Sequence, residues 1–194
     1  MKDSRAQTLD DSADERRPLV FIDIDGVLNR YRMPVTEASQ KGLIVYDQDD
    51  WNGRAWTMRL DPADGPRLLS LTGLADLAWA TTWTDLADLI GNRIGLPGGL
   101  PVAYRKMSEY TKGRGILEVA GDRPFVWFDD EPTTDDREMF AEHGSAHLAH
   151  WYNAYYDGNK VWAVDGQTGE ISPWPGVDPA TVKTWVRGSI RNDS

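Results

Sequence analysis

The sequence predicts an α/β fold, a central parallel sheet flanked by helices, and three observations carry that prediction. The runs Leu19-Val-Phe-Ile-Asp23, Leu77-Ala-Trp-Ala-Thr81 and Pro124-Phe-Val-Trp-Phe-Asp129 are short, unbroken apolar stretches that each end on a polar group. Such runs, bounded by Gly, Asp and Pro and without alternation, read as strands buried on both faces. The segments between them carry helix-start residues and helically spaced apolar positions. At 194 residues the chain suits one domain with its own core.

Each element follows in order. Residues 1–17 mix acids, bases and small polar groups and read as a disordered tail, leaving 18–191 as the domain. The first strand covers about 19–23 and runs into Asp23-Ile-Asp25-Gly26, where Gly26 permits a sharp departure. Residues 30–58 place Tyr31, Tyr46, Trp51 and Trp56 among Gly, Asp and Asn, which reads as a β-rich flap, too short for a large cap domain. Asp61-Pro62 supplies an N-cap and a proline at the first helical position, for a helix to about Leu71. The second strand covers 75–81, and the next helix runs from Thr84 to about Ile90 with Leu86, Leu89 and Ile90 on its apolar face. Gly95–Pro101 is a loop, and a helix opens near Lys112 ahead of the third strand at 124–128. Thr133–Glu142 reads as a helix with Asp135 and Asp136 in its first turn. Region 143–175 is expected at the periphery, with Val161–Val164 and Ile171 flanking Asp165–Gly169 as a hairpin. Asp178-Pro179 opens a final amphipathic helix carrying Val182, Trp185, Val186 and Ile190.

Ligands of open parallel sheets bind beyond the carboxyl ends of the strands. Those ends gather Asp23, Asp25, Thr81, Asp129 and Asp130. Carboxylates crowded in this way raise one another's pKa values unless a cation sits among them. Mg²⁺ (magnesium) suits such a set, because it favours carboxylate oxygens and binds jointly with phosphate. Asp23 is suited to attack phosphorus and form an aspartyl-phosphate. Asp25 is suited to protonate the leaving oxygen and later to activate water. Thr81, or Thr82 after a one-residue shift, offers a hydroxyl to a phosphoryl oxygen, and Lys112 offers charge neutralisation. Gly26 and Thr82 are the substrate-binding candidates; Asp23, Asp25, Asp129 and Asp130 are the metal candidates, with the choice between Asp129 and Asp130 as direct ligand open.

FIDIDGVLN, LAWATTW, the lysine of YTKGRGILEV and FVWFDDE resemble the four ordered motifs of the haloacid dehalogenase (HAD) superfamily. The likeness is strongest to the small bacterial HAD domains related to those of Swiss Army Knife RNA-repair proteins. It runs from about Leu19 to Glu131 in ordered motifs, and more loosely to the last helix. The resemblance implies a Rossmann-like HAD sheet, Mg²⁺, a nucleophile at Asp23 and acid/base work at Asp25. It also implies the second-motif hydroxyl at Thr81, the lysine at Lys112 and a metal-side pair at Asp129 and Asp130. Dehalogenases of the superfamily lack the second Asp of the first motif, so Asp25 implies phosphate chemistry. The expected activity is hydrolysis of a phosphate monoester on a nucleic-acid end, a nucleotide or a small metabolite. The alternative from another class is a protein of the same fold that senses phosphate without turnover.

Composition bounds these readings. A net charge of −10 opposes broad nucleic-acid binding but allows recognition of one terminal phosphate. The chain has no cysteine, which excludes disulfides and thiol catalysis. The amino terminus lacks a secretory h-region, and no apolar stretch approaches the ~20 residues of a membrane span. The expectation is a cytoplasmic protein with no membrane contact and no obligate protein partner. His143, His147 and His150 read as packed or exposed residues, since Gly144 interrupts the helix a zinc site would need. Asp47-Gln-Asp49-Asp50 fails the EF-hand pattern, with Trp51, Asn52 and Met58 at discordant positions. Trp79 and Trp127 belong to the core, whereas Trp51, Trp56 and Trp83 lie nearer the expected mouth as flap packing or base-stacking surfaces. Arg54, Arg59, Arg105 and Lys106 read as surface charges within possible reach of a substrate phosphate.

Overall fold

A computed structural model of the chain describes residues 17–103, 111–142, 149–157, 160–165 and 171–173, the last three segments by backbone alone. The elements are β1 (Leu19–Ile22), α1 (Val35–Gln40), β2 (Ile44–Asp49), β3 (Ala55–Leu60), α2 (Asp64–Leu69), β4 (Asp76–Trp79) and α3 (Ala87–Arg93). They continue as α4 (Lys112–Ala120), β5 (Phe125–Phe128), α5 (Thr134–Glu142), β6 (Ala149–Asp157), β7 (Lys160–Asp165) and β8 (Ile171–Pro173). The fold is α/β, with parallel strands flanked by helices in an arrangement compatible with a Rossmann-like sheet.

The main sheet has the order β4-β1-β5-β6-β7-β8. β1 pairs in parallel with both β4 and β5, so Leu19 lies between Asp76 and Phe125 and Ile22 between Trp79 and Phe128. Alternate side chains of these strands feed two cores. Val20, Ile22, Leu77, Trp79, Val126 and Phe128 face one side with Leu68 of α2 and Ile90 of α3. Leu19, Phe21, Ala78, Phe125 and Trp127 face the other with Ile116 of α4 and Phe140 of α5. Burial on both faces is why these strands read as continuous apolar runs. β6 continues the sheet in parallel beside β5, and β7 and β8 follow antiparallel. Region 143–175 therefore contributes strands to the main sheet. The loop expected between β7 and β8, the histidines His143 and His147, and the final helix lie outside the described residues.

Several boundaries differ from the sequence reading for identifiable reasons. Residues 1–16 lie outside the described residues, but Arg17, assigned to the tail, donates to Thr72 O at 2.6 Å and pairs with Asp76 at 3.2 Å. Segment 30–58 contains α1 as well as the antiparallel β2–β3 hairpin, and β3 runs on to Leu60. α2 begins at Asp64, not at Pro62, because Pro66 lacks an N–H and must fall within the first turn. Asp61 instead accepts the Ala63 N–H at 2.9 Å in the preceding turn. Arg30 and Arg67 both pair with Asp61 and Asp64, tying the root of the flap to α2. Among the described residues no helix is long and apolar enough to cross a membrane.

Candidate active site

β1 ends at Ile22, and the Asp23 N–H still donates to Phe128 O at 3.0 Å, so the pairing with β5 carries Asp23 alongside Asp129. Both carboxylates are buried. Lys112 opens α4, whose N-cap Thr111 accepts the Arg114 N–H at 3.3 Å. Its Nζ donates to Asp23 Oδ2 and to Asp129 Oδ2, each at 2.7 Å. Burial disfavours the lysine cation, but the charges of Asp23 and Asp129 outweigh it and hold the pKa above the ordinary lysine value. Burial, and then the charge of Asp23, lifts Asp129 well above the carboxylate range. Asp129 Oδ1 accepts the Glu131 N–H at 2.8 Å. Burial, Asp23 and Glu131 together push Asp130 up to about 7.

Asp23, Asp129 and Asp130 each offer an oxygen within 4.8 Å of the others. A set made only of carboxylate oxygens suits a hard divalent cation, which would also relieve the elevated pKa values.

Asp25, the fourth metal candidate, lies outside this set of three. Its Oδ1 accepts from Asn29 Nδ2 at 2.7 Å and its Oδ2 from Trp83 Nε1 at 2.8 Å. Burial raises its pKa, while the two donors oppose the shift. Gly26 has a structural reason to be glycine. It takes φ 79°, and a Cβ would sit 2.1 Å from Asp130 Cγ. Its N–H donates to Asn29 O at 2.9 Å, so this donor is committed within the loop.

A cleft of about 410 Å³ opens over these groups. It is lined by Asp23, Lys112 and Asp130, by Asp25 from the loop after β1, by Thr82 and Glu131, and by the aromatic rings of Tyr31 and Trp56. The choice between the two threonines is a matter of orientation. Thr81 is fully buried and its Oγ1 accepts the Trp83 N–H at 3.4 Å, whereas Thr82 faces the cleft. Trp83, expected near the mouth, is buried beneath Trp56, with ring centroids 6.5 Å apart and planes at 76°. Arg54 stacks over Trp56 at 4.3 Å, and Arg59 turns back to Thr57 O at 2.6 Å. Trp79 and Trp127 are core residues. His150 lies on strand β6, and Arg105 and Lys106 fall outside the described residues.

Three contributors escape sequence reasoning in their actual roles: Asn29, Trp83 and Asp136. Asp136 is buried, and its Oδ1 accepts the Gly113 N–H of α4 at 2.9 Å. Its Oδ2 accepts the Thr133 N–H at 2.9 Å and the Thr133 hydroxyl at 2.7 Å, while Thr133 Oγ1 accepts the Asp136 N–H at 3.1 Å. One carboxylate thus ties the starts of α4 and α5 together beside Lys112. The Thr133-x-x-Asp136 spacing, a variant of the capping box, is the sequence signal that could have found it. No family model, curated protein or solved structure matches this chain.

Proposed function

We propose that this chain is a HAD-type phosphatase that hydrolyses phosphate monoesters with Mg²⁺ through an aspartyl-phosphate on Asp23. The observation that carries this reading is the Lys112 Nζ shared by Asp23 and Asp129 at 2.7 Å each, at the base of a cleft that Asp130 also lines. Lys112 fixes the nucleophilic carboxylate and offsets the negative charge an incoming phosphoryl group adds. Asp23 attacks phosphorus as the bond to the leaving oxygen breaks, and Asp25 supplies the proton to that oxygen. Water then attacks the phosphorus, gives its proton to Asp25 and frees Asp23. The pKa of Asp25, raised by burial, suits a proton donor. Thr82 is the cleft-facing hydroxyl available to a phosphoryl oxygen. Asp23, Asp129 and Asp130 would hold Mg²⁺, which supplies charge neutralisation at the phosphoryl oxygens. Phosphate monoester hydrolysis needs rate enhancements of up to ~10²¹, and a covalent carboxylate with preorganised positive charge addresses that demand.

The cleft lining favours a small ester over a nucleic-acid end. Among the described residues, Asp23, Asp25, Asp130, Glu131 and Asp136 line it against the single cation of Lys112, so a polyanionic strand meets repulsion where a lone phosphate meets a binding site. Tyr31 and Trp56 add apolar surface for the leaving group. A nucleotide or small metabolite fits this lining.

The test is inorganic phosphate release with Mg²⁺ and with chelator, across nucleoside monophosphates, small alkyl and aryl phosphates and phosphorylated oligonucleotides. Mg²⁺-dependent turnover of the small esters is expected, falling more than about 10³-fold in Asp23→Asn. Selective turnover of an oligonucleotide end would overturn the substrate preference. Phosphate binding with no turnover of any ester would replace the enzyme with a phosphate sensor.

A further inference from the structure

We propose that Trp83 and Asn29 are positioning residues that orient the Asp25 carboxylate for proton transfer to the leaving oxygen; the inference rests on the phosphatase reading above. Asp25 sits in a loop beyond the end of β1, with Gly26 at φ 79° directly after it, so the sheet ladder of β1 stops short of its side chain. What fixes that side chain is one donor on each oxygen, Asn29 Nδ2 at 2.7 Å and Trp83 Nε1 at 2.8 Å. The Trp83 donor comes from 58 residues away, and that residue is 5% exposed and outside the cleft lining. Its indole N–H therefore serves Asp25 and not substrate, and a buried indole N–H needs such an acceptor.

Both donors are themselves braced by β3. Asn29 Oδ1 accepts the Arg59 N–H at 2.9 Å, which fixes the amide so that its NH₂ must point at Asp25. Trp83 packs edge-to-face under Trp56. The residue after Trp83, Thr84, takes φ 46°, a costly setting for a β-branched side chain, held in a backbone that keeps Trp83 in place.

The chemistry benefits in a definite step. As the Asp23–phosphorus bond forms and the bond to the leaving oxygen breaks, the Asp25 proton passes to that oxygen and Asp25 becomes a carboxylate. Two N–H donors, one per oxygen, stabilise that anion and hold the opposite edge of the carboxyl group toward the cleft. When water attacks, its proton returns to the same oxygen edge as the Asp23–phosphorus bond breaks.

The experiment compares kcat/KM of the Mg²⁺-loaded wild type with Trp83→Phe, which keeps the ring and removes the N–H. Asn29→Ala is run beside it, since it removes the donor without setting a second carboxyl group against Asp25, and it carries the test if Trp83→Phe does not fold. The substrates are glycerol phosphate, whose alkoxide must be protonated to leave, and 4-nitrophenyl phosphate, whose anion leaves unaided. A misaligned general acid is expected to lower kcat/KM on the alkyl ester by about tenfold more than on the aryl ester. Equal losses on the two esters would make Trp83 and Asn29 merely structural and overturn the proposal, as would no loss on either. A wild type inactive on both esters would overturn the phosphatase reading and this inference with it.

Discussion

The base of the cleft and its flap-side wall hold neighbouring carboxylates by opposite means. At the base, Asp23 and Asp129 share one ammonium, and Asp130 adds a third acidic group. On the wall, Asp25 is held by two neutral N–H donors while burial raises its pKa. The two aspartates of one loop are two positions apart, yet one faces a cation and the other an amide and an indole. The difference teaches how one short loop can hold two carboxylates in opposite electrostatic settings, which is what the proposed division into nucleophile and proton donor requires. Charge pairing suits the group that must stay anionic, and neutral donors suit the group that must gain and lose a proton.

The comparison breaks most severely at its cation. Lys112→Met is expected to abolish turnover and to destabilise the protein at neutral pH, measured by denaturant unfolding. The loss should fall near the lower end of the about 3–5 kcal/mol typical for unpairing buried charges, because the lysine side chain keeps 20% exposure. A loss below about 1 kcal/mol would put the pair in the class of surface bridges and remove the contrast between base and wall.

A smaller effect is expected from Asp136→Ala, which leaves Asp23, Asp129 and Lys112 chemically intact. Losing the shared cap of α4 and α5 should cost about 1–2 kcal/mol in unfolding experiments. Turnover should fall with it, since Lys112 loses the anchor of its helix. Unchanged turnover at reduced stability would show that the lysine is placed by its ion pairs alone.

The comparison is sharpened further through pH. Asp130 goes from 3.8 to about 7 on folding in the absence of a cation, so the folded chain binds more protons than the unfolded one across that window. Metal-free stability is therefore highest below the window and falls as pH rises through it. In chelator, Tm should be lower at pH 7.5 than at pH 5.5, by about 2–4 °C per kcal/mol at this chain length. Added Mg²⁺ should raise Tm more at pH 7.5 than at pH 5.5. A metal-free Tm that climbs between the two pH values would contradict the crowded-carboxylate account.

The strands and the acidic groups at their ends were legible because burial on both faces leaves an unmistakable apolar run. β1, β4 and β5 fall within the stretches 19–23, 75–81 and 124–128 expected to be strands. The threonine choice was not legible. β4 ends at Trp79, so strand alternation no longer dictates which of Thr81 and Thr82 faces the cleft. α1 was hidden because Ala38 is its one buried residue and no apolar stripe marks it. The partners of Asp25 were equally hidden, since nothing local announces that an indole 58 residues away will reach it. Patterns of burial are written along the chain, whereas polar pairings between distant loops depend on how the backbone closes.

Lys112 is 89 residues from Asp23 in the chain, and the two meet only when β1 lies against β5. Parallel pairing of such distant strands is a slow, non-local event in folding. A chain that had formed only the β2–β3 hairpin and isolated helices would therefore lack the Asp23–Lys112–Asp129 cluster altogether. A cation held at the neighbouring carboxylates would stabilise only the assembled sheet. The ion pair at the base of the cleft is in this sense a record that the strands on either side of the long crossover have met.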